Sequence, residues 1–151
     1  DLFLRSPAAL DEIKAEITLE RAAATLYPGV ASLHTGILSH VPRCYATRNI
    51  REIVEPYAQV LAFQGVVAEA FDKERAIRQL AGKFSQLSRC GVEGDSTEDG
   101  QMIKALRDAG KEVLGLYVMS SPNVRKLDQH FDYAVSRSRV ALVELLSLPS
   151  P

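Results

Sequence analysis

Two stretches of this chain carry no Asp, Glu, Lys or Arg at all: the one between Arg21 and Arg43, and the one between Glu55 and Glu69. A segment without charge has no solvent-seeking face, so it must be covered on all sides. Three coverings are conceivable: a lipid bilayer, the interior of the protein itself, or another protein chain. The bilayer fits badly. As helix, the Glu55–Glu69 window spans only about 20 Å, short of a hydrocarbon core of roughly 30 Å. The earlier window holds Pro28-Gly29, His34 and His40, which suit no membrane span. The expectation is therefore a buried central helix, or one with a face covered by a partner.

The rest of the chain is compatible with an ordinary globular core. It has 151 residues, 46% of them apolar and 25% charged, so disorder is the wrong default. Strand signals look scarce, with no sustained alternation and no Asn-Gly or Asp-Gly hairpin. Helical spacing recurs instead. The reading is an all-α, single-domain bundle of about six helices over residues 1–151, taken as a piece of a longer protein.

Punctuation residues set the expected boundaries. Ser6-Pro7 reads as a hydroxyl N-cap followed by proline at the first helical position. A short helix over 30–41 ends at Pro42, and Asn49 with Glu52 resembles a capping box opening a third helix over 50–71. Asp72 is expected to cap a fourth helix reaching Arg89, with Gly91 as its left-handed C-terminal stop. The acidic stretch from Val92 to Gly100 reads as an exposed, mobile loop that repels phosphate. A fifth helix is expected over 101–119. The sixth starts at Ser121-Pro122 and runs to about Ser147, with Val124, Leu127, Phe131, Ala134, Ser138, Leu142 and Leu145 in a near-heptad stripe.

Charge and motif content narrow the function classes. Eighteen basic against nineteen acidic residues give a net charge of -1, which argues against a dedicated nucleic-acid binder. Cys44 and Cys90 are far apart and form no CxxC, so two reduced thiols in a cytoplasmic-type protein are expected. His34 and His40 stand six residues apart, which on a helix points them to different faces, and no HExxH or ExxH occurs, so no metal site is expected. No GxSxG and no glycine-rich phosphate loop is present. Neither a catalytic residue nor a cofactor is assigned.

The function expected from these features is protein–protein interaction: a helical adaptor, scaffold or regulatory domain without catalysis. Its partner is another protein chain or a second copy of this one. The candidate partner-binding residues are Arg43, Arg48 and Arg51 around the connector into the third helix, and Arg137 and Arg139 framing the sixth. The alternative from a different class is a regulatory bundle that binds a small molecule between helices.

Overall fold

The computed structural model describes residues 6–119 and 129–149, and it overturns the all-α expectation: the chain is mixed α/β, with two parallel sheets. The chain folds into two compact units. The first comprises Asp1–Glu69 and Ser138–Pro151, the second Ala70–Arg137.

In the first unit, α1 (Pro7–Glu16) starts where the sequence predicts, with Ser6 accepting from the Ala9 amide and proline in the first turn. Helix α2 (Leu19–Ala24) follows under a Thr18 cap. The first charge-free stretch continues into a π-helical turn, Ser32–Ile37, whose Leu33 is 1% exposed. Strand β1 (Cys44–Ala46) then leads to α3 (Arg51–Val60), with Val54 and Ala58 buried. The N-cap of α3 is Ile50, without a side-chain cap, so the Asn49–Glu52 capping box does not form.

The expected third helix over 50–71 stops after one half of its length. Ala62 adopts φ +53°, and the Phe63 amide donates back to the Ala58 carbonyl, closing the helix end. Alanine is the best helix former and gives no stop signal, which is why the break is invisible in the sequence. The remainder of the charge-free stretch is β2 (Gly65–Val67), paired in parallel with β1 in the register Cys44–Gly65, Tyr45–Val66 and Ala46–Val67. The stretch buries Ala58, Leu61 and Gly65 and leaves its other residues half-buried or exposed, β2 being one of only two strands in its sheet among the described residues. Of its apolar residues Leu61 is buried, whereas Val60, Phe63 and Val67 are half-buried. Phe71, just beyond it and expected inside, is 61% exposed.

The second unit opens with α4 (Lys73–Lys83), capped by Asp72 through the Arg75 amide as predicted. The helix stops at Phe84, short of Arg89. From Arg89 the chain is β3 (Arg89–Gly94), then α5 (Thr97–Asp108), then β4 (Glu112–Met119). The supposed mobile loop 92–100 is thus the end of a strand and the start of a helix, with Val92, Asp99 and Gly100 buried. Gly91 lies inside β3 and caps nothing. The fifth helix begins four residues early and ends at Asp108, with Gly110 just beyond it at φ +79°, the left-handed conformation that glycine adopts without penalty.

Strand β5 (Tyr133–Ser136) completes a three-stranded parallel sheet in the order β3-β4-β5. It replaces the middle of the expected sixth helix. The Ser121-Pro122 start, Val124 and Leu127 fall outside the described residues. Only the end survives as helix: α6 (Val140–Leu146), which belongs to the first unit. No helix among the described residues is long and apolar enough to cross a membrane.

The second unit is held together by one face of α5. Asp99, Met102, Ile103 and Leu106 recur at helical spacing and are all buried, with Ile103 fully so. They pack that helix on β3 and β4 while α4 lies alongside. A parallel strand often reads as a nearly unbroken apolar run, and β4 does so although Leu114 is 46% exposed. Val113-Leu114-Gly115-Leu116-Tyr117-Val118-Met119 is such a run, and by periodicity it cannot be told from a buried helix.

Candidate functional site

In β3, β4 and β5 the chain runs in one direction, so their carboxyl ends share one edge of the sheet, where ligands of open α/β sheets ordinarily bind. At that edge β3 passes into α5 through only Asp95 and Ser96. Ser96 is the N-cap: its backbone is extended, and its hydroxyl oxygen accepts from the Asp99 amide at 3.2 Å. The Asp99 carboxylate reaches back, its Oδ2 accepting from the Ser96 hydroxyl at 2.8 Å and from the Asp95 amide at 3.1 Å. Its other oxygen, Oδ1, lies 3.2 Å from Lys73 Nζ at the start of α4.

This ion pair is buried, the side chains being 11% and 10% exposed. Asp99 therefore neutralises a lysine on one side and fixes the β3–α5 turn on the other. The turn fits so closely that a Cβ on Gly94 would stand 2.2 Å from the Asp99 Cβ. Asp95 itself is exposed, and Ser96, Glu98 and Glu93 are half-buried around it. The edge thus offers an outward carboxylate, a hydroxyl, an interior ammonium–carboxylate pair and the positive end of α5.

A signal for this arrangement does stand in the sequence. Ser96-Thr97-Glu98-Asp99 has the spacing of a reciprocal helix-start motif. Reading the stretch as an acidic loop hides it, since helix-capping carboxylates and solvated loop carboxylates look alike by composition.

The first unit has a polar strand end of its own. After β1, Thr47 is 7% exposed, donates its amide to the Val67 carbonyl and accepts the Asn49 amide on Oγ1 at 3.2 Å. After β2, Glu69 adopts φ +53° and donates its amide to the Asn49 carbonyl. A non-glycine residue in the left-handed region is uncommon and is held there by its surroundings.

Of the five arginines expected to contact a partner, Arg43 and Arg139 are buried. Arg48 is exposed after β1, and Arg51 is exposed at the start of α3. Arg43, 7% exposed, is interior: its guanidinium donates to the Leu38 and Ala62 carbonyls at 3.2 and 3.0 Å, and its backbone amide donates to Gln64 Oε1. It holds the irregular chain before β1 against the left-handed turn at Ala62. Arg139 is 5% exposed, and its amide donates to the Pro28 carbonyl at 2.7 Å. Arg137 is half-buried and belongs to the second unit, whereas the other four belong to the first. An arginine in sequence reads as surface charge, and only the packed chain distinguishes a guanidinium that ties carbonyls together.

Among the histidines, His34 is half-buried with its ring centroid 5.4 Å from that of Phe63, His40 is exposed and His130 is half-buried. Among the described residues no group of three or more His, Cys, Asp or Glu is arranged to hold a metal ion. Cys44 and Cys90 are both free thiols, and burial pushes the Cys90 thiol up from its ordinary value, against a smaller lowering by Lys111. Comparison with protein families, with curated proteins and with solved structures found no match for this chain.

Proposed function

We propose that the Ala70–Arg137 unit binds a small polar molecule at the carboxyl edge of its parallel sheet, over the turn formed by Gly94, Asp95 and Ser96. The observation that carries this reading is the buried Lys73–Asp99 pair. Removing two charges from water costs several kcal/mol per ion, and apolar residues of like volume often stabilise a fold as well or better. Buried charge pairs at the open end of a parallel sheet are thus a mark of a binding or reacting site more than of stability. The groups present suit a ligand that offers hydrogen-bond donors to Asp95 and an acceptor or anionic group to the α5 N-terminus, the Ser96 hydroxyl proton being held by Asp99.

The test is thermal unfolding with a panel of sugar phosphates, nucleotides and amino acids, each with and without Mg²⁺. The cation belongs in the panel because one or two carboxylates hold it only when ligand oxygens complete its shell. A ligand at a hundred times its Kd stabilises by about 2.7 kcal/mol. Asp95→Asn, an exposed change, should leave the unliganded melting temperature in place and abolish the gain. No gain from any compound, or an equal gain in Asp95→Asn, overturns the reading.

A second reading, protein–protein interaction, is favoured by α6. This helix carries one charge, Glu144, and buries none of its residues. Leu145 is 63% and Leu146 49% exposed, with Leu148 beyond them at 65%. Arg48 and Arg51 of the same unit are exposed as well. Light scattering against concentration, for the chain alone and for Leu145→Asp with Leu146→Asp, tests association of copies. A mass that stays monomeric in both assigns the surface to a different chain. Failure of the double variant to change any complex sinks the reading.

A further inference from the structure

We draw no further inference here: the strongest candidate, the exposed apolar surface of α6 with Leu145, Leu146 and Leu148, carries nothing beyond the interaction reading because nothing in the structure shows what covers it.

Discussion

At Gly94 a single hydrogen in place of a side chain lets Asp99 lie against the strand end and collect its three partners. Gly94→Ala should therefore destabilise the protein by roughly 1–3 kcal/mol, the usual effect of forcing a methyl into a filled site. Urea unfolding measures it, and a midpoint equal to that of the parent chain would show that the turn yields freely. Cys90 gives a second expectation. Burial disfavours its thiolate, so alkylation of the folded chain should run slower than that of a free thiol at the same pH. The sign for stability follows. The folded thiol holds its proton to higher pH than the unfolded one, so its contribution is complete below the unfolded value and fades as pH rises through the folded value. Cys90→Ala should flatten that alkaline loss, which pH-dependent thermal unfolding can follow. Some single residues are readable in advance. Ser6 and Asp72 cap their helices as their type and position foretell, because a cap is a local bargain between one side chain and the next three amides. Arg43 is not, because burial of its guanidinium depends on carbonyls brought from elsewhere in the chain, and neither is the burial of Arg139.

Among the elements, α5 is the one on which the second unit depends. Ile103 is fully buried between that helix and the sheet, and Ile103→Ala should cost roughly 2–5 kcal/mol in chemical unfolding. A loss under about 0.5 kcal/mol would mean that the helix is not packed as described. The elements hidden in the sequence share a cause. Each of β2, β3 and β4 follows a helix in the chain, and β2 and β4 extend its apolar content without a clear change of period. The stops between them are weak or disguised: a left-handed alanine after α3, an unremarkable Phe84 after α4, and Gly110 after α5. Of these only Gly110, with Lys111-Glu112 and the β-branched and aromatic run behind it, announces a turn from helix to strand. The acidic segment misleads for the opposite reason. Its charges sit where helix dipoles welcome them, at the first turn of α5, and charge density alone does not distinguish that place from a loop.

For the molecule as a whole, balanced charge and exposed apolar side chains act together. With a net charge of -1 and an isoelectric point near 6.4, the chain has little self-repulsion close to neutral pH. Solubility should pass through a minimum near pH 6.4, and Leu145→Asp with Leu146→Asp should lift it there. Light scattering across pH checks both, and a minimum unaltered by these changes would assign the association to another surface. The near-neutral charge follows from composition alone, whereas the cover expected for the charge-free stretches does not form throughout: Tyr27 is 50% and Val41 38% exposed. The helix starts at Ser6 and Asp72 follow as well, because a cap involves neighbours in sequence. Strand pairing does not. A parallel strand finds its partner only after an intervening crossover, so an apolar strand such as β4 looks like a buried helix until the partner is known. The same holds for the Lys73–Asp99 pair, whose members are brought together when α4 and α5 pack side by side in the second unit.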